Sequence, residues 1–220
     1  MKSQFLGDKY DKSRLIALYV DEAGKDHPLY YIDVKCYRDK GWISNHFVGA
    51  YFFLLQRHFM SDNIKFLDTS FWSHYVQPLN NDRGVTMVSE YLSKYGITKD
   101  SHFVVPALIS NCHFIYFEVD LSTKLISLYD SLGHRNSREI LLLYDVLSLY
   151  IKDTEDWTMM DNFAKPSIAR QTDMHSCGFF VCFYALSLAT TSDVSSEALG
   201  EVDKTKKKIM MSLVDRKIYV

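Results

Sequence analysis

Short apolar runs at residues 15 to 20 and 29 to 36, rich in Leu, Ile, Val and Tyr, predict two early strands with Gly24 in the polar turn between them. From Asn45 to Phe59 the pattern changes. Phe47, Val48, Tyr51, Phe52, Leu54, Leu55 and Phe59 recur at mostly three-and-four spacing behind a capping Ser44 or Asn45, which predicts an amphipathic helix. A second helix is expected from Gly84 to Lys94, closed by Gly96. Three strand-like runs follow: Phe103 to Ile109, His113 to Asp120 and Leu125 to Asp130, the last two joined by a short polar turn. Helical spacing returns between Ser137 and Tyr150, ahead of a loop around Trp157 and an extended piece near Pro166. The stretch after Cys177 is apolar almost all round, as a helix buried in the domain centre would be. Residues 197 to 214 read as a last amphipathic helix with a lysine-rich outer face. The expected class is α+β, with a central, mostly antiparallel sheet flanked by helices.

Composition narrows this picture. The 220 residues are 47% hydrophobic and 24% charged with only 9 Gly and 4 Pro, which argues against disorder and low complexity. A net charge of −2 gives no electrostatic drive toward nucleic acid. The 15 Tyr, 14 Phe and 3 Trp exceed what a small core needs, so some aromatics are expected to line a groove. Cys36, Cys112, Cys177 and Cys182 form neither a C-x-x-C pair nor a dense disulfide framework, which fits a reducing compartment, cytoplasmic or nuclear. No apolar stretch approaches a membrane span, and an acid at Asp8 interrupts the start before any signal-like run. Without repeats or linkers the chain reads as one domain: N-terminal strands over 1–40, a core over 41–188 and a C-terminal helix over 189–220.

Chemistry enters with a pairing argument. If the turn at Leu121 to Lys124 closes a symmetric hairpin, His113 faces Asp130, Ile115 faces Leu128 and Phe117 faces Ile126 on one side of the sheet. The carboxylate is then placed to accept the imidazole Nδ1 proton and fix the ring, although a cross-strand ion pair with no further role is the plainer reading. Cys177 sits where the polar segment Arg170 to Ser176 gives way to the buried helix. Orphan amides, the helix dipole and a nearby imidazolium can move a cysteine pKa from about 8.5 to below neutrality, whereas most helix-opening cysteines are simply small buried hydrophobes. Gly178 is expected to let a substrate backbone approach the sulfur without a Cβ in the way, and Cys182 is read as core.

His113, Asp130 and the segment Gln171-Thr-Asp-Met-His-Ser-Cys177-Gly178 together resemble the His, Asp, Gln-x5-Cys-Gly signature of the ubiquitin-like-protein-specific cysteine proteases, the Ulp/SENP family. Gly41-Trp42-Ile43-Ser44-Asn45 is similar to that family's Trp-Leu-Asn-Asp box, and Phe66-Leu-Asp-Thr-Ser-Phe-Trp72 to its next strand-helix segment. The likeness runs from Trp42 to Leu188. It implies a papain-like architecture and cleavage after a Gly-Gly tail of a ubiquitin-like modifier, in deconjugation, precursor processing or both. By the same resemblance Cys177 is the nucleophile, His113 the acid-base partner and Asp130 its orienter, with the Gln171 amide stabilising the oxyanion. Trp42, Asn45, Phe114 and Gly178 would then line the substrate channel. The implied partner is a modifier of the SUMO, NEDD8 or ubiquitin class together with its conjugates; no cofactor, metal, nucleic acid or membrane is implied, and the expected state is a monomer.

The sequence departs from the family pattern in three places. Phe114 stands where a Trp usually follows the His, Asn45 replaces a frequent acid, and His175-Ser176 replaces Tyr-Asp before the nucleophile. These leave the modifier open and keep alternatives in view: a same-fold processing peptidase of viral or effector type acting on Gly-rich sites, or a catalytically silent modifier-binding module. A zinc site from Cys112, His113, His175 and Cys177 is a sharper rival, weakened because neighbours on a strand point to opposite faces. His175 reads mainly as an exposed loop residue. Lys204, Lys206, Lys207 and Lys208 read as a solvated helix face.

Overall fold

The structure, a computed structural model, describes residues 14–20, 26–38, 41–59, 64–78, 82–151, 156–162, 167–190 and 193–219. Its centre is a five-stranded sheet in the order β3-β4-β5-β6-β7, with β3 Ile64–Phe66, β4 His102–Ile109, β5 His113–Asp120, β6 Leu125–Tyr129 and β7 Thr158–Asp161. The three inner strands are antiparallel, and the two edge strands are parallel to their neighbours. Parallel pairing needs a crossover, and a helix supplies each one. α3 Asp82–Lys94 lies between β3 and β4, and α4 Ser137–Ile151 between β6 and β7.

The sheet separates two apolar layers. Ile115, Phe117 and Val119 of β5 turn toward the α3 and α4 side, where Leu143 and Leu147 of α4 are buried with them. Phe114 and Tyr116, one residue out of phase, turn toward α2 Asn45–Phe59, α5 Cys177–Thr190 and α7 Val202–Asp215. In α5 residues 177 to 185 are all buried, and the helix packs on both α2 and β5. Ser44 starts α2 by accepting the Phe47 amide at 3.2 Å, while its own hydroxyl donates to Asp33. A separate ribbon of β1 Leu15–Val20 and β2 Asp26–Tyr30 is fastened to the far end of the chain by the Tyr19 hydroxyl on the Leu213 carbonyl.

Several expectations change. Residues 29 to 36 are not one strand: β2 stops at Tyr30 and α1 Tyr31–Arg38 begins, because Asp33 accepts the Tyr30 amide at 2.8 Å and Tyr31 and Val34 bury one helical face. The last helix is two, α6 Ser196–Leu199 and α7, parted by Gly200 at φ +60°, with Ser195 capping α6 through the Ala198 amide. After Trp157 the chain forms β7, a strand whose half-exposed Thr-Met-Met-Asp carries no alternation to betray it. Phe71 and Trp72 lead into a single π-helical turn, Trp72–Val76, closed by the Gln77 amide on the Trp72 carbonyl. The β5-β6 register is displaced by two residues, pairing Phe117 with Leu128 and Val119 with Ile126. An even displacement keeps each side chain on its expected face, so the stripe survives while its partners change. Gly24, Pro166 and the first thirteen residues lie outside the described residues. No described helix is long and apolar enough to cross a membrane.

Candidate active site

His113 opens β5 immediately after a tight turn in which Ser110 and Asn111 take left-handed φ of 50° and 55°. Asp130 follows the last residue of β6. With the observed register the two are diagonal rather than directly opposite, yet the ring reaches Asp130 Oδ1 at 2.8 Å. The nitrogen that does so is Nε2, not the expected Nδ1, which leaves Nδ1 as the nitrogen available to the Cys177 thiol that the imidazole also contacts.

Asp130 is 1% exposed and thoroughly held. Besides the imidazole it accepts the Leu132 amide at 2.7 Å and Asn136 Nδ2 at 2.8 Å, while Arg170 Nη1 donates to its carbonyl at 2.9 Å. Burial pushes the carboxyl up, but the His113 ring, Asn136 and the Leu132 amide outweigh it and hold Asp130 below the usual carboxylate value. Burial likewise opposes charge on His113, yet hydrogen bonds to Asp130 and Cys177 and their negative charge raise its pKa to about 9. A doubly protonated ring therefore lies between carboxylate and sulfur at neutral pH. Gly133 has φ +73°, a conformation L side chains rarely adopt, and a Cβ there would also crowd the Arg170 guanidinium, so this turn favours glycine.

Cys177, 4% exposed, is the first residue of α5, with Ser176 ahead of it accepting the Phe180 amide at 3.1 Å. The loop before it is pinned by Asp173, whose Oδ1 accepts the His175 and Ser176 amides at 2.9 and 2.8 Å. Gln171 is buried, with its Oε1 receiving the Ser131 hydroxyl at 2.5 Å and its Nε2 donating to the Asp173 carbonyl at 2.7 Å. Both ends of the amide are fixed, and one Nε2 hydrogen is not committed by these contacts.

A cleft of about 200 Å³ opens beside the sulfur, bounded by Trp42, Asn45, Cys112, Phe114, His175 and Cys177. Trp42 roofs it, 54% exposed, with Nε1 donating across to the Met174 carbonyl at 3.0 Å. Phe114 is 3% exposed and is as much core as wall. Gly178 lines the cleft beside Cys177, and a Cβ there would meet Ile43 Cγ1 at 2.5 Å and Phe114 Cδ2 at 3.2 Å, so the glycine also seats α5 against the Trp42 segment. His175 is not a free loop residue, since it lines the cleft and its Nδ1 lies 3.4 Å from Asp173 Oδ1. Lys206 leaves the expected solvated face, at 13% side-chain exposure, to lie 3.5 Å from Asp173 Oδ2. Cys112 is exposed in the turn before β5, and among the described residues the Cys112, His113, His175 and Cys177 set does not reach metal-ligand spacing. Only His113, Asp130 and the exposed His134 do, with Asp130 already satisfied by donors.

Sequence reasoning missed Asn136, Arg170, Ser131 and Asp173, the residues that hold the chemical groups in place. Asn136 had a signal, since an Asn just before a helix reads as a cap, and its backbone carbonyl does accept the Ile140 amide at 3.2 Å. Arg170 and Ser131 act across long sequence separations that no local pattern records, whereas Asp173 holds His175 and Ser176 locally, the turn signal that an Asp ahead of a helix start offers.

Similarity to known proteins follows the same outline. A family model for the Ulp1 protease family, C-terminal catalytic domain, matches residues 42–217. No curated protein matches the chain. Among solved structures, the C-terminal Ulp1 protease domain in complex with Smt3, the yeast ortholog of SUMO, is 15% identical with a TM-score of 0.71 over 91% of this chain and 88% of that one. The catalytic domain of the Chaetomium thermophilum Ulp1-like SUMO protease is 17% identical with a TM-score of 0.69, covering 96% and 86%. The Xanthomonas campestris effector XopD bound to ubiquitin is 15% identical with a TM-score of 0.55, covering 78% and 91%. With the family model spanning the roof, the His–Asp pair, the nucleophile loop and the last helix, this chain belongs to the Ulp1 protease family and is a cysteine-type hydrolase.

Proposed function

We propose that the protein cleaves after the Gly-Gly tail of a ubiquitin-like modifier, releasing it from conjugates or maturing its precursor. The carrying observation is the linked set Cys177, His113 and Asp130 at the mouth of a narrow cleft roofed by Trp42. Cys177 Sγ attacks the carbonyl of the second glycine, its amide C–N bond breaks, and His113 gives its proton to the leaving amine. The thioester that remains is opened by water, from which His113 takes a proton back. Asp130 keeps the ring oriented throughout and stays ionised. The uncommitted Nε2 hydrogen of Gln171 and the Cys177 amide are the donors for the oxyanion. Trp42 over the cleft favours glycines, because a substrate Cβ would collide with the ring. The mechanism needs a reduced thiol, which fits a cytoplasmic or nuclear setting, and the described cysteines Cys112, Cys177 and Cys182 are all free.

The test is a panel of modifiers carrying a C-terminal electrophile, one each of SUMO, NEDD8 and ubiquitin. One class should label the protein at Cys177, and Cys177→Ala should lose labelling while still binding that modifier. Labelling at Cys112 or Cys182, or by no modifier at all, overturns the reading.

A further inference from the structure

Four lysines lie in α7, and one of them behaves differently. Lys204 pairs with Glu201 in the open, at 72% and 69% side-chain exposure, where an ion pair contributes little. Lys206 instead crosses from α7 to the loop that ends at the nucleophile, thirty residues earlier in sequence. Its Nζ donates to the Ser176 hydroxyl, lies 3.5 Å from Asp173 Oδ2, and stands 5.7 Å over the Phe179 ring. Ser176 is fully buried, and its hydroxyl donates to Asp173 Oδ2 at 2.5 Å. Asp173 in turn gathers the His175 and Ser176 amides on its carboxylate and the Gln171 side-chain amide on its carbonyl.

A single charge thus stands behind Asp173 and Ser176, the two side chains that hold the loop where it meets the nucleophile. Take it away, and Asp173 keeps its hydrogen bonds but loses the ammonium beside Oδ2, while the buried Ser176 hydroxyl loses a donor. The backbone at 176 and 177 sets where the sulfur and the Cys177 amide point, and placement errors of about 1 Å can cost about 10²-fold in rate. We infer that Lys206 is a positioning residue for the reaction: through Ser176 and Asp173 its ammonium fixes the loop that aims Cys177 and Gln171, without itself touching substrate.

This inference rests on the proposed protease activity, and two readouts separate them. One is kcat and KM on the modifier that labels Cys177, fused to aminomethylcoumarin. The other, independent of any modifier, is the rate constant for alkylation of Cys177 by iodoacetamide, mapped by mass spectrometry. Lys206→Met should lower both kcat and the alkylation rate constant by about 10- to 100-fold. KM should stay within about twofold, because the modifier surface is untouched. Lys206→Arg keeps a donor and a charge in reach and should recover most of both rates, and Lys207→Met, on an exposed neighbour, should match the wild type. Asp173→Asn should resemble Lys206→Met, and the double variant should be little worse than either single one, as expected of residues acting in one chain.

Wild-type kcat and alkylation in Lys206→Met would overturn the inference. So would a loss that merely follows the unfolded fraction measured by circular dichroism, or one that Lys206→Arg fails to repair. If no modifier substrate turns over but Lys206→Met still slows alkylation, the protease reading fails and the positioning role stands.

Discussion

His113 shows how much one side chain's neighbours decide. Alone and buried, an imidazole would be pushed toward neutrality; between Asp130 and Cys177 its pKa rises to about 9. Part of that rise comes from the sulfur, so Cys177→Ser should bring the His113 titration downward when followed by NMR of the ring protons. An unchanged midpoint would mean that the ring and the sulfur are not in contact. The same shift acts on stability. A folded-state pKa above the unfolded value near 6.5 stabilises the fold fully below that pH, and the contribution fades as pH rises through about 9. The melting temperature should therefore drop more steeply between pH 7 and 10 in the wild type than in His113→Asn. Asp130 works in the opposite sense, its stabilisation present at neutral pH and lost only as pH falls below the ordinary carboxylate range. For Gln171, held by Ser131 and the Asp173 carbonyl, replacement by Ala should lower kcat by about 10²–10³ with KM nearly constant. A raised KM with kcat intact would make it a substrate-binding residue instead.

Elements meet at the cleft through close approaches that leave no slack. α5 begins where Gly178 lies against Ile43, so Gly178→Ala must push the Trp42 segment away or tilt the helix start. Overpacking of this kind costs about 1–3 kcal/mol. The variant should lower both the melting temperature and kcat, and Ile43→Ala added to it should restore much of each. The same contacts explain what was readable beforehand. α2 and α4 announced themselves because their burial is a local periodicity, α5 because it is a continuous apolar run, and His113, Asp130 and Cys177 because each stands at the edge of a readable element. The register of β5 on β6 was not readable to better than two residues, since an even slip keeps the apolar face intact. β3 was reached only at Phe66 and only through the family resemblance, and β7 escaped, both being short edge strands whose partners are chosen by crossover helices rather than by their own side chains. Nor did Lys206 stand out from its neighbours, because a helical face rich in lysine looks solvated until the loop it touches is in place.

At the scale of the whole molecule the cleft is a seam, with Trp42 on one side, the 171 to 176 loop on the other, and the bond from Nε1 to the Met174 carbonyl spanning it. Trp42→Ala removes a half-exposed ring, so it should cost little stability while raising kcat/KM for a Gly-Ala tail relative to Gly-Gly. An unchanged ratio would place the selectivity elsewhere. Phe114→Trp is a different matter, for at 3% exposure a larger ring overfills the core before it narrows the channel. Along the chain, the His–Asp pair comes from the middle, the nucleophile some fifty residues later, and α7 with Lys206 after that. Tyr19 of the first strand closes on Leu213 of the same helix. A polypeptide leaves the ribosome at about 5–20 residues per second, N-terminus first. A nascent chain that has just exposed Cys177 therefore holds every reacting group but lacks the helix that steadies the loop and joins the two ends. During synthesis, the thiol is finished before the machinery that aims it.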